Sequence, residues 1–142
     1  MKENQVPVVH AARRVPISVK NKLKKTLDAM ENEKIITPIS TPTDWVSSMV
    51  VVEKKDGSLR ICLDPKDLNA SIKRSHYQIP VLDEVTSQLN GAKIFSTFDA
   101  KNGYWQVPLS ESASELTTFN TPFGRYKWLR LPFGLNIASE EF

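Results

Sequence analysis

Cysteine is almost absent from this 142-residue chain, and Cys62 is the only one. No internal disulfide and no clustered thiolate zinc site can be built from it. Histidine is nearly as scarce: His10 and His76 lie far apart without partners at ligand spacing, so both read as surface or core residues. No apolar run approaches the ~20 residues that a membrane-spanning helix needs. The start, from Met1 to Arg14, is polar and mixed in charge, unlike a signal peptide. Repeats and low-complexity tracts are missing too. These absences point to an intracellular protein, not a secreted one. A large excess of one charge is also lacking, since the net charge is only +3. Such a balance argues little by itself for a polyanionic partner.

What is present suits a globular domain. Hydrophobic residues make up 40% and charged residues 25%, enough for one compact core. The basic residues are unevenly spread: Arg13, Arg14, Lys20, Lys22, Lys24 and Lys25 crowd one stretch, and Lys54, Lys55 and Arg60 flank a turn. A solvated basic face is the plain reading of such clusters. Residues 1–16 carry Pro7 and Pro16 and no periodicity, which predicts an extended arm. Ser18 is positioned to cap a helix with Val19, Leu23, Leu27 and Met30 at helical spacing. Pro38 and Pro42 then predict an irregular segment.

Met49 to Val52 begin a strand, Asp56-Gly57 forms a tight turn, and Ser58 to Leu63 return as its partner. Cys62 falls in that second strand and reads as a buried thiol. Asp64 and Asp67 flank Pro65 and read as caps of a turn or short helix. A helix from Pro80, closed by Gly91, should turn Leu82, Val85 and Leu89 inward. Lys93 to Phe98 predict a strand ending at Asp99, followed by a turn at Asn102-Gly103. Thr117 to Asn120 and Tyr126 to Leu129 predict a strand pair across Pro122-Phe123-Gly124. Residues 132–142 begin a helix whose apolar face has nothing to pack on, which predicts a piece of a longer protein. Strands and helices mixed without regular alternation imply an α+β fold.

Asp99 is the residue with the clearest chemical potential. A carboxylate at a strand end, with a turn and Tyr104-Trp105 just beyond, is a common place to hold a metal. Alone, the signal is weak, and such an aspartate usually just caps the following turn. Its neighbours shift that balance. The string FSTFDAKNGYWQVPL (95–109) resembles the first catalytic motif of reverse transcriptases. TDWVSSMVVVEKKDGSLRICLDPKDLN (43–69) resembles their fingers hairpin, and TTFNTPFGRYKWLRLPFGL (117–135) the segment leading to the next palm motif. The motifs stand in the family's order, the likeness runs from Arg13 to Phe142, and it is closest to gypsy-type long-terminal-repeat retrotransposons.

The resemblance implies the fingers and part of the palm of a right-hand polymerase. An extended arm would occupy 1–16, fingers 17–90 and partial palm 91–142, with a return to the fingers near 110–130. Asp99 matches the first metal-binding aspartate, and the backbone carbonyl of Ala100 is expected to help hold Mg²⁺. Tyr104 matches the aromatic gate that leaves no room for a 2′-hydroxyl. Arg60 and one of Lys54 and Lys55, with Lys54 favoured, match the residues that clasp the triphosphate. Phe133 and Gly134 match the segment near the templating base, where glycine permits close backbone approach. Retroviral relatives carry glutamine at the position of Phe133, so no hydrogen-bonding role transfers. Many relatives also carry proline near Ser139.

The family places two further adjacent aspartates on a later hairpin, and no Asp-Asp pair occurs in these residues. One carboxylate is a poor site for two Mg²⁺ ions, each of which demands near-octahedral oxygen coordination. The resemblance therefore implies an RNA-directed DNA polymerase whose isolated piece is inactive. The implied partners are an RNA or DNA template with primer, deoxynucleotides, and the remainder of a polyprotein, in a cytoplasmic particle or nucleus. A non-catalytic nucleic-acid-binding remnant is the alternative, and a structural domain with coincidental motifs a third.

Overall fold

The structure, a computed structural model, describes residues 1–74 and 77–142. The expectation for His76 lies outside these residues. Helix α1 spans Ile17–Asn32 and buries Leu23, Leu27 and Met30, with Val19 packed at the edge of the same core. Three residues recurring at helical spacing give it one apolar stripe. Ser18 does not cap it. Pro16 occupies that position, its carbonyl accepting from the Val19 N–H at 3.0 Å, and no side chain caps the end. Proline enters a first turn without an N–H to satisfy, so the helix starts before the serine.

Strand β1 (Ile36–Pro38) falls where an irregular segment was expected. Strands β2 (Ser48–Glu53) and β3 (Leu59–Asp64) form the anticipated hairpin, in register from Ser48 opposite Asp64 to Glu53 opposite Leu59. Gly57 sits at φ +79 in its turn, where a side chain would be strained. The Asp56 carboxylate accepts from the Ser58 N–H at 2.8 Å and hydroxyl at 2.6 Å. Along β3, Leu59, Ile61 and Leu63 are buried while Arg60 is exposed, as the alternation of a strand requires. Cys62 is half-buried rather than buried. Its burial pushes the thiol up, with a smaller opposing pull from Arg60.

Helix α2 (Lys66–Ser71) follows Pro65 directly and has no side-chain cap. Asp64 and Asp67 are instead partners of the arm. Arg13 pairs with Asp64, and His10 Nε2 lies 2.7 Å from Asp67 Oδ2. The arm is further tied by the Val9–Val46 bridge, and the Asn120 side-chain amide donates to the His10 carbonyl at 2.5 Å. Helix α3 (Leu82–Gln88) is present, but its apolar side chains do not face inward: Leu82 is 75% exposed, and Val85 and Leu89 are exposed too. Nor do residues 93–98 form a strand; Ile94 and Phe98 are 90% and 93% exposed. No described strand pairs with them, and an extended segment becomes a strand only by pairing.

A 3-10 turn at Gly103–Gln106 follows Asn102, which adopts the left-handed conformation. Helix α4 (Glu111–Leu116), unforeseen, is capped by Ser110 accepting from the Ala113 N–H at 3.3 Å. Strands β4 (Phe119–Thr121) and β5 (Gly124–Trp128) form the expected pair, and α5 (Ala138–Glu141) ends the chain. The sheet order is β1-β5-β4, antiparallel throughout, with Ile36 opposite Trp128. Ser47 bridges to Phe119 and joins this sheet to the β2–β3 hairpin. Phe119 and Trp128 are fully buried in the same core as Leu23 and Leu27 of α1, with ring centroids 5.6 Å apart.

Leu27→Ala should cost about 2–5 kcal/mol, whereas Leu82→Ala should stay within about 0.5 kcal/mol. Urea denaturation of the two variants separates them, and an equal loss would show that α3 is packed in solution. The Ser58 hydrogen bonds hold the Asp56 carboxyl below its usual range. The stabilisation this gives the turn is present above the ordinary aspartate pKa and fades as pH falls through the lowered value. An NMR titration should find Asp56 titrating below a free aspartate, and Ser58→Ala should return it upward.

Candidate functional site

Residues expected to act together come from elements far apart in sequence. The hairpin end brings Lys54 and Arg60, the segment before the 3-10 turn brings Asp99 and Ala100, and the turn itself brings Tyr104. With Phe98, Lys101, Asn102, Gly103, Phe133 and Phe142 they line one cleft of about 620 Å³. Lys55 and Gly134 are not among its lining residues. Register explains the lysines: Lys54 donates its N–H to the Ser58 carbonyl at 2.8 Å and continues β2, while Lys55 lies in the turn beyond.

The cleft has an aromatic wall. The Arg60 guanidinium lies 5.2 Å from the centroid of Phe133. Phe133 meets Tyr104 at 4.9 Å, and Tyr104 meets Phe142 edge-on at 5.7 Å. The Tyr104 hydroxyl is 2.9 Å from Ser139 Oγ. Tyr104 is anchored from behind, because residues 107–109 run antiparallel to 129–131. There the Leu109 N–H donates to the Leu129 carbonyl at 3.0 Å, and the Leu131 N–H to the Val107 carbonyl at 2.9 Å.

Gly134 has a structural duty of its own. At φ +116 it passes so close to β3 that an added Cβ would lie 2.1 Å from the Leu63 carbonyl oxygen. The Leu63 N–H donates to the Phe133 carbonyl at 2.9 Å, and the Asn69 side chain donates to the Gly134 carbonyl at 2.9 Å. Close approach to this chain's own strand accounts for the glycine without a nucleic-acid base.

Asp99 is exposed, and the Ala100 carbonyl accepts the Gly103 N–H at 3.1 Å. A carbonyl keeps a second lone pair, so that bond leaves room for another partner. Among the described residues no group of three or more carboxylate, imidazole or thiol side chains gathers. One carboxylate and one carbonyl do not by themselves fit a pair of magnesium ions.

Residues 52–140 match the reverse transcriptase (RNA-dependent DNA polymerase) family. The chain belongs to that family. It is 36% identical over 122 residues to the enzymatic polyprotein of cauliflower mosaic virus (strain Strasbourg), covering 84% of this chain and 17% of that protein. It is 30% identical over 142 residues to the retrovirus-related Pol polyprotein from transposon 412 of Drosophila melanogaster, covering 96% of this chain and 11% of that protein. The chain thus spans between 11% and 17% of the length of these relatives. A crystal structure of prototype foamy virus protease–reverse transcriptase superposes with a TM-score of 0.80 at 23% identity, covering 95% of this chain and 18% of that one. The α+β architecture is therefore the fingers-and-palm-like fold of reverse transcriptases. Among the described residues no helix is long and apolar enough to cross a membrane.

Sequence reasoning missed several lining residues. Phe142 sits over Gly103, where an added Cβ would meet its ring at 2.8 Å. Nothing in the spacing announced this, because the two positions are joined only by the fold. Arg74, which does not line the cleft but donates through Nε to Glu140 at 2.8 Å, was equally silent. Gly134→Ala should destabilise the chain by about 1–3 kcal/mol and disturb the Leu63 and Phe133 amides in an NMR spectrum. A thermal midpoint matching wild type would remove the close-approach explanation.

Proposed function

We propose that the cleft receives an incoming deoxynucleoside triphosphate, in a reverse transcriptase of the gypsy-type long-terminal-repeat class. The chain would supply the arm (1–16), fingers (17–90) and partial palm (91–142, returning to the fingers near 110–130) of a polyprotein. Other parts of that polyprotein would supply the remaining palm aspartates, the thumb and RNase H. Primer annealed to an RNA or DNA template would be the second substrate, and Mg²⁺ the cofactor of the complete enzyme, with Asp99 and the Ala100 carbonyl contributing to its site.

The observation that carries this reading is the shared cleft itself. Lys54 with Arg60, Asp99 with Tyr104, and Phe133 come from three separated stretches of chain, yet line one space. Cations on one side and aromatic rings on the other suit a ligand that is polyanionic at one end and flat at the other. Arg60 can bind phosphate bidentately, and its stacking on Phe133 limits how the guanidinium turns. Lys54 adds a point charge from the same hairpin. Tyr104, fixed by its neighbours, would meet the sugar and exclude a 2′-hydroxyl.

Nucleotide binding by the 142-residue chain, followed by quenching of tryptophan fluorescence, tests the reading. Trp105 lies 6.5 Å from Phe133 and reports on the cleft. Arg60→Ala should weaken dGTP binding roughly tenfold or more, the scale of a lost charge-assisted hydrogen bond. Lys54→Ala should weaken it several-fold, and Lys55→Ala within about twofold. Unchanged binding in Arg60→Ala, or an effect of Lys55→Ala equal to that of Lys54→Ala, would overturn the assignment. The isolated chain should also give no primer extension, and a magnesium-dependent extension product from it would refute that expectation.

A further inference from the structure

The tip of the Tyr104 side chain is held by a residue that the proposed chemistry does not use. Ser139 Oγ lies 2.9 Å from the Tyr104 hydroxyl. The ring's remaining contacts are apolar: Phe133 on one side at 4.9 Å and the edge of Phe142 at 5.7 Å. Such contacts resist compression but fix the ring's rotation only weakly, since tilted and edge-on pairs tolerate a range of angles. A hydrogen bond at the far end of the ring supplies the direction they lack.

Ser139 can do this because its own position is fixed. It lies in α5, where Ala138 is buried in the core at 2% exposure. The next residue, Glu140, pairs with Arg74, and the Glu140 side chain is 5% exposed. Upstream, the Asn136 N–H donates to Asn69 Oδ1 at 3.0 Å and the Asn136 side-chain amide to the Asn69 carbonyl at 3.2 Å. The helix is therefore tied to α2 and to the chain at Arg74, on either side of Ser139. Ser139 itself is exposed, so its hydroxyl is not needed to fill the core.

We infer that Ser139 is a positioning residue for sugar selection, its hydroxyl holding the Tyr104 phenol against the pocket so that the ring does not yield to a 2′-hydroxyl. This rests on the reading of the cleft as a deoxynucleotide site. An aromatic gate discriminates only as well as it resists displacement. A ring free at its tip can swing aside and admit a ribose, while the phosphate contacts from Lys54 and Arg60 stay the same for both sugars. Loss of the serine hydroxyl therefore raises affinity for the ribonucleotide and leaves that for the deoxynucleotide nearly as it was.

The test measures dGTP and GTP affinities of the 142-residue chain by tryptophan fluorescence, for wild type, Ser139→Ala, Ser139→Thr and Arg60→Ala. Ser139→Ala should lower the dGTP preference about two- to tenfold, the scale of one hydrogen bond, through tighter GTP binding. Ser139→Thr, which keeps a hydroxyl, should hold the preference near wild type. A merely structural role would move both affinities together and leave their ratio alone. Arg60→Ala should weaken both nucleotides without changing the ratio. If it does so while Ser139→Ala leaves the ratio unchanged, or Ser139→Thr behaves like alanine, the inference is overturned and the cleft reading survives. If Arg60→Ala changes neither affinity, the cleft reading falls and the inference with it.

Discussion

The close passage of residues 133–134 across β3 is the constraint on which the rest of the site depends. The Leu63 N–H reaches the Phe133 carbonyl, and the Gly134 backbone lies where no side chain would fit beside the Leu63 oxygen. Leu63 faces the core from the same strand that displays Arg60 to solvent. Pinning one strand thus places Phe133 under the Arg60 guanidinium. The chain then leaves Gly134 in a direction that carries Ala138 into the core and Ser139 to Tyr104. That contact ties the hairpin directly to the segment against which Tyr104 of the 3-10 turn packs.

Chemistry follows from how the walls differ. The hairpin wall is cationic and solvated, so its charges act through short contacts with a ligand rather than through their mutual stability. The opposite wall is a row of rings running from Phe133 through Tyr104 to Phe142, packed at tilted or edge-on angles. Asp99 is exposed at the same cleft, with the neighbouring carbonyl of Ala100 as a further ligand candidate. Under the proposed reading this arrangement would hold and sort a nucleotide, while the charge needed for phosphoryl chemistry would be only partly supplied by these residues.

Most of the local structure was legible wherever the pattern served a buried face. Leu23, Leu27 and Met30 announce α1, and Asp56-Gly57 announces the hairpin, because helical spacing and a turn dipeptide each report a single physical requirement. Strand β1 was not legible, since Pro38 signals a break and only pairing of Ile36 with Trp128 makes the segment a strand. The apolar run at 93–98 failed the other way: β-forming residues are a strand only beside another strand. Asp64 and Asp67 looked like caps because the arm that claims them, through Arg13 and His10, lies over fifty positions away. The candidate site residues were named through family motifs rather than through spacing. The gathering of most of them into one cleft without Lys55, and the contacts of Ser139 and Phe142 with Tyr104, depend on long-range packing that no local pattern encodes.

Amide chemical-shift mapping of the isotope-labelled chain with dGTP tests the central claim most directly, because it asks where the nucleotide sits before asking what is done to it. The account predicts shifts concentrated at Lys54, Arg60, residues 99–104 and Phe133, with little change elsewhere. Shifts centred instead on the apolar groove lined by Leu68, Ile72, Leu109 and Leu131, with the cleft silent, would contradict it.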